Sequence, residues 1–153
     1  MNKNGRYERL HKQISELIPK GKHSISAMAT ISSVLYHKME YFFWCGFYFV
    51  DNDELKVGPY QGPVACQILE KDKGVCWAGI NQNKSILVPD VHAFPGHIAC
   101  DSRSQSEVVI PVRNAEGIAV AVLDIDSDKK DVFDKTDVEW LEKIISLIEP
   151  IQL

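Results

Sequence analysis

A chain of 153 residues, 45% hydrophobic and 25% charged, has the make-up of one ordinary globular domain, which sets aside disorder and repeat architectures. A formal charge of -4 and a pI near 5.7 set aside nucleic acid and anionic membrane as the main partners. No apolar run approaches the roughly 18 residues of a membrane-crossing helix, and the N-terminus MNKNGRYERL lacks the apolar core of a signal peptide, so the expected compartment is the cytoplasm.

From about Arg6 to Ile18, apolar residues at 10, 14, 17 and 18 with charges between them predict an amphipathic helix, broken by Pro19 and Gly21. Ser24 opens a second helix with Ile25, Met28, Ile31, Val34 and Leu35 on one side. The aromatic and β-branched run from Tyr41 to Val50 predicts a strand, turned at Asp51-Asn52-Asp53 into a returning strand from Leu55 to Tyr60. A further strand is expected over Val64 to Leu69, a short helix over Gly74 to Gln82 and a short strand over Ser85 to Val88. Pro89 to Ser106 has no period and reads as a long loop, a length that is usually functional or mobile in a compact domain. Two strands follow, Glu107 to Val112 and Ile118 to Ile125, joined across residues 114–117. A closing helix runs from an N-cap at Asp134 to Ile148. The expected class is α+β, a single domain over 1–153 with a central antiparallel sheet and helices packed on one face. No Gly-rich phosphate loop follows a strand, so a nucleotide fold has no local support.

Cytosolic thiols stay reduced, so four cysteines are not by default a disulfide framework; they are candidates for catalysis, metal binding or burial. Cys45, within YFFWCGFYFV, is expected to be a small hydrophobe in the sheet. Cys66, Cys76 and Cys100 instead fall in one polar, turn-rich stretch, and Cys100 follows His92 and His97 in the long loop. Neighbouring N–H groups or a cation there would lower the pKa of its thiol. Zinc is the competing reading of the same thiols and imidazoles. Of them, only His97 and Cys100 stand at the spacing of about two to four residues common in zinc sites.

The second constellation is acidic. Asp124 and Asp126 are two apart on a strand and therefore share a face, and antiparallel pairing can set Glu107 beside them. Gathered carboxylates cannot all ionise comfortably, so one is raised and becomes a proton donor. Solvated strand ends fit the same pattern. Trp44 and Tyr48, four apart on one side of their strand, can wall a small apolar pocket or serve as core.

Together these groups resemble the free methionine-(R)-sulfoxide reductases, which are built on a GAF domain. The resemblance rests on GFYFVD, GPYQGPVAC, KGVCWAG, VPDVHAFPGHIACD, SEVVIPV and LDIDS, and on the spacing of Cys66, Cys76 and Cys100; the region before Tyr41 fits only loosely. It implies reduction of free methionine-(R)-sulfoxide with Cys100 as the sulfur nucleophile and Cys66 or Cys76 as the resolving thiol. It also implies a carboxylic acid, Glu107 or Asp126, as proton donor. Glu107, Asp124 and Asp126 would bind the substrate amino group and sulfoxide oxygen, and Trp44 and Tyr48 would surround the side chain. Thioredoxin as reductant, a homodimer, and no metal or organic cofactor complete what the family implies. The alternative is a GAF domain that binds a small molecule as a sensor, a role with no use for three cysteines.

Overall fold

A computed structural model describes residues 2–19, 23–97 and 100–153. Helices α1 (Lys3–Leu17) and α2 (Ser24–Lys38) precede strands β1 (Trp44–Asp51), β2 (Glu54–Gln61) and β3 (Ile68–Leu69). Helix α3 (Gly74–Gln82), strand β4 (Ile86–Val88) and a 3-10 turn (Val91–Ala93) follow; β5 (Ser106–Arg113), β6 (Ala119–Ser127) and α4 (Lys135–Ser146) close the chain. The six strands form one antiparallel sheet in the order β3-β2-β1-β6-β5-β4.

Alternation along the central strands divides the molecule into two layers of core. Cys45 and Phe47 of β1, Val108, Ile110 and Val112 of β5, and Ala121, Leu123 and Ile125 of β6 face α1, α2 and α4. Their neighbours Trp44, Tyr48, Val109 and Val122 face the other way, where α3 covers them with Val75, Cys76 and Trp77. The helices expected on one face are thus three, and α3 lies opposite. Its apolar residues had given no sign of which side of the sheet they would cover. Gly79 lets it sit close, since a Cβ there would stand 2.7 Å from Val109 Cγ1. Cys45 is wholly buried in the three-helix layer, as expected.

Helix ends follow their caps. Asn2 accepts from the Gly5 N–H, which starts α1 three residues before the position that apolar spacing suggested. Gly21, expected to help end it, lies outside the described residues. Asp134 caps α4 with a reciprocal capping box to Asp137. Asp137 is fully buried, and its carboxylate gathers Lys3 Nζ at 2.7 Å, Tyr7 Oη at 2.6 Å and the Tyr41 hydroxyl. This one side chain ties α1, α4 and the entry to β1.

The strand expected over Val64 to Leu69 shrinks to Ile68–Leu69. Gly62 turns the chain with φ +119°, and two carbonyls just beyond it are taken by aromatic side chains. Trp44 Nε1 donates to Pro63 O at 3.0 Å and Tyr48 Oη to Cys66 O at 3.2 Å. The long loop, of which Ile98 and Ala99 lie outside the described residues, contains the 3-10 turn capped by Asp90 and ends as Ser106 enters β5.

Candidate active site

Register alone assembles the acidic group. Glu107 pairs with Asp126, and Asp126 with Trp44; Asp124 pairs with Val109 on one side and Gly46 on the other. All these positions share the face covered by α3, so carboxylates and aromatics meet at one end of the central strands. The solvated-strand-end reading fails for Glu107 and Asp124, each only 5% exposed. Trp44 and Tyr48 are also buried, with ring centroids 5.8 Å apart, and Tyr60 stacks on Trp44 at 5.2 Å. Gly46 makes room for this stack. A Cβ there would lie 2.2 Å from Tyr60 Cβ and 2.8 Å from the outer edge of the Trp44 ring.

Trp44, Tyr48, Glu107, Asp124 and Asp126 line a cavity of about 60 Å³ that also receives Cys76 and the first turn of α3 from one side, and His97, Cys100 and Asp101 from the loop. Cys66 and Cys100 are joined by a disulfide with Cα atoms 5.6 Å apart, while Cys76 is a free thiol in the wall. Of the three sequence candidates, two are therefore bonded to each other and the third is turned inward. The zinc reading paired His97 with Cys100, whose sulfur is here bonded to Cys66. Among the described residues the one grouping with metal-ligand spacing is Cys76, Glu107 and Asp124.

Burial dominates the electrostatics of the floor. It pushes the Glu107 carboxyl well above the usual carboxylate range, and the neighbouring Asp124 and Asp126 push further. Asp126, half-buried, is raised for the same reason, with contributions from Asp124 and Asp101. Burial raises Asp124 too, but hydrogen bonds from Glu107 and Cys76 work against it. All three are thus pushed towards their neutral forms, and Asp124 is the one whose charged form has hydrogen-bond support. Asp124 Oδ1 is buried without a hydrogen-bond partner and is open to a cation or donor.

The histidines separate. His92 is exposed and bound to Asp90, whereas His97 lines the cavity with a buried, unpartnered Nε2 and is held below the usual imidazole range by burial and by His92. The fixed cation of the loop is Arg103. It donates Nε and Nη2 to Asp101 at 2.9 and 2.7 Å, which holds Asp101 at about 2. Its guanidinium stands 4.8 Å from the Phe43 ring and so anchors the loop after Cys100 to the start of β1.

The model of the GAF domain matches residues 29–151. The chain is 42% identical to GAF domain-containing protein A of Dictyostelium discoideum over 97% of its own length and 93% of that protein's. It is 34% identical to the free methionine-R-sulfoxide reductase of Escherichia coli, covering 99% of this chain and 91% of that one. The chain belongs to the GAF-domain family of free methionine-R-sulfoxide reductases. A solved structure of the reductase from Neisseria meningitidis, in complex with its substrate, superposes with a TM-score of 0.92 at 35% identity, over 97% of this chain and 89% of that one.

Residues not found from the sequence include Phe43 and the Lys73–Val75 stretch in the cavity lining, and Gly46, Tyr60 and Arg103 packed behind it. Gly46 carried a signal, since a glycine inside an aromatic strand marks a close approach. Tyr60 gives no signal beyond ending a strand, and Arg103 lies in a loop without periodicity.

Proposed function

We propose that this chain reduces free methionine-(R)-sulfoxide to methionine, with Cys100 as nucleophile and Cys66 as the thiol that resolves it. The observation that carries the reading is the Cys66–Cys100 disulfide at a cavity lined by three carboxyl groups, Glu107, Asp124 and Asp126. Asp124 takes the substrate ammonium group with Glu107 beside it, and the backbone N–H groups of Lys73 to Val75, at the N-terminus of α3, face the substrate carboxylate. Recognition of both charged ends favours a free amino acid over a residue within a protein. Trp44 and Tyr48 surround the side chain.

Cys100 Sγ attacks the sulfoxide sulfur. Asp126, pushed towards its neutral form by burial and by the charges of Asp124 and of Asp101 beside Cys100, donates a proton to the oxygen. Methionine leaves, and Cys100 holds the oxygen as a sulfenic acid; the Cys66 thiol displaces it as water and closes the disulfide. An external dithiol, thioredoxin by the family resemblance, reopens it by exchange and is itself oxidised. The net change is one sulfoxide and two external thiols to one methionine, one disulfide and one water. The chain is read as one GAF domain over 1–153 acting as a homodimer in the cytoplasm, where thioredoxin is available; no described helix is long and apolar enough to cross a membrane. A binding-only role leaves the disulfide unexplained.

Purified protein supplied with thioredoxin, its reductase and NADPH is expected to consume the R epimer and leave the S epimer. Turnover that survives intact in Cys100→Ser would overturn the nucleophile, and indifference to both epimers would overturn the function.

A further inference from the structure

Cys76 is a buried thiol with no place in the Cys66–Cys100 chemistry. It sits in the first turn of α3, 4% exposed, and its Sγ, a Glu107 oxygen and an Asp124 oxygen lie within 4.8 Å of one another. The helix that carries it is held at both ends of its contact with the sheet. Gly79 packs against Val109, and Trp77 Nε1 donates to Leu69 O at 3.4 Å. Swinging Cys76 out to the loop would lift this packing. Cys66, by contrast, lies on a segment outside the strand ladder and is already bonded to Cys100.

We propose that Cys76 is a positioning residue: its S–H donates to Asp124 and fixes that carboxylate as the acceptor for the substrate ammonium group, outside the thiol–disulfide exchange. This rests on the reading of the site given above. A cysteine in the first turn of a helix is ordinarily pulled towards thiolate. Here burial, followed by Asp124, Glu107 and Asp126, pushes the thiol well up instead, so at neutral pH it is a donor and not a nucleophile. The same hydrogen bond is one of the two that work against the rise of Asp124. The other titratable groups facing this pair are Glu107 of β5, Asp126 of β6 and Tyr48 of β1, all held towards their neutral forms, with Lys73 at the start of α3 and His97 and Asp101 of the loop also lining the cavity.

Three variants separate the roles. Cys76→Ser keeps a donor, Cys76→Ala removes it, and Cys76→Val removes it while filling the space, which keeps the comparison available if the alanine protein does not fold. Each is assayed with methionine-R-sulfoxide, using dithiothreitol and then thioredoxin as reductant, across pH. The donorless variants are expected to raise KM roughly tenfold or more, the usual cost of losing a hydrogen bond to a charged group, with kcat little changed. The acid limb of their kcat/KM profile moves to higher pH because Asp124 loses support for its charged form. The serine variant stays near wild type in both respects, and all three still form the Cys66–Cys100 disulfide after one equivalent of substrate. Loss of thioredoxin-supported turnover in all three, with sulfenic acid on Cys100 trapped by dimedone, would make Cys76 the resolving thiol and overturn the proposal. So would an unchanged KM and pH profile in Cys76→Ala and Cys76→Val. A wild-type protein that reduces no sulfoxide overturns the function itself, and is recognised before any variant is compared.

Discussion

Closing the Cys66–Cys100 bond should make the protein measurably harder to unfold, by an amount that the chain separation sets. The bond spans 34 residues of sequence. In the chain-entropy treatment, cross-linking a loop of that length removes about 3.8 kcal/mol of denatured-state freedom at 25 °C, and native disulfides commonly deliver about 2 to 4 kcal/mol. The loop contains α3 and β4, both packed on the sheet, so unfolding it releases a full segment of structure rather than a surface strap. The assay is urea denaturation of the oxidised protein, of the protein held reduced by dithiothreitol, and of Cys66→Ser in both conditions. Oxidation is expected to raise the midpoint of the wild type and leave that of Cys66→Ser unmoved. Equal midpoints for oxidised and reduced wild type would show that these two cysteines are not the pair that closes. A shift retained in Cys66→Ser would mean that Cys100 closes on another thiol, and only Cys45 and Cys76 remain.

Three further outcomes follow from the buried polar groups and the close contacts. Glu107 and Asp126 are raised in the folded state, so the unfolded chain loses its protons first as pH rises; the stability they contribute is present below the ordinary carboxylate range and declines towards their folded pKa values. Urea midpoints should therefore fall as pH rises above the ordinary carboxylate range on this account, roughly 1.4 kcal/mol per pH unit and group at most, and Glu107→Gln should flatten the slope. Gly46→Ala forces a Cβ to within 2.2 Å of Tyr60, and is expected to cost about 1–3 kcal/mol in unfolding free energy and to raise KM by displacing the Trp44 stack. Asp137→Ala leaves the Lys3 ammonium and the Tyr7 and Tyr41 hydroxyls without their shared acceptor, and calorimetry should show a loss of about 3–5 kcal/mol with the chemistry of the cavity unchanged.

Local signals carried most of the fold. Composition, turn residues and helical spacing located the described strands and α-helices, though not the 3-10 turn, and the α3 bounds are those expected, Gly74–Gln82. What periodicity could not supply was the partner of an element. Val64 to Leu69 has strand composition, yet Pro63 and Cys66 give their carbonyls to Trp44 and Tyr48, contacts made across 18 or 19 residues of chain. The side of the sheet that α3 covers was hidden for the same reason. The carboxylates were legible because strand pairing is itself a rule of register, and Glu107 opposite Asp126 needs only the 114–117 turn. Arg103 was not, since its role depends on a loop folding back so that the guanidinium meets both Asp101 and Phe43.

The two aromatics have a double duty that decides how the site keeps its geometry. Trp44 and Tyr48 line the cavity, and their polar ends hold the backbone on which Cys66 rides. Burial of the Tyr48 phenol among Asp124, Cys76, Asp126 and Glu107 keeps it a hydrogen-bond donor throughout the neutral range, so this tether does not loosen with pH. Substrate that presses on the ring face thus acts on the same side chain that places the resolving thiol. Tyr48→Phe preserves the ring and cuts the tether. It should leave KM near wild type while slowing disulfide closure, seen as sulfenic acid accumulating on Cys100 after rapid mixing with methionine-R-sulfoxide. A raised KM with closure unaffected would instead confine Tyr48 to the wall.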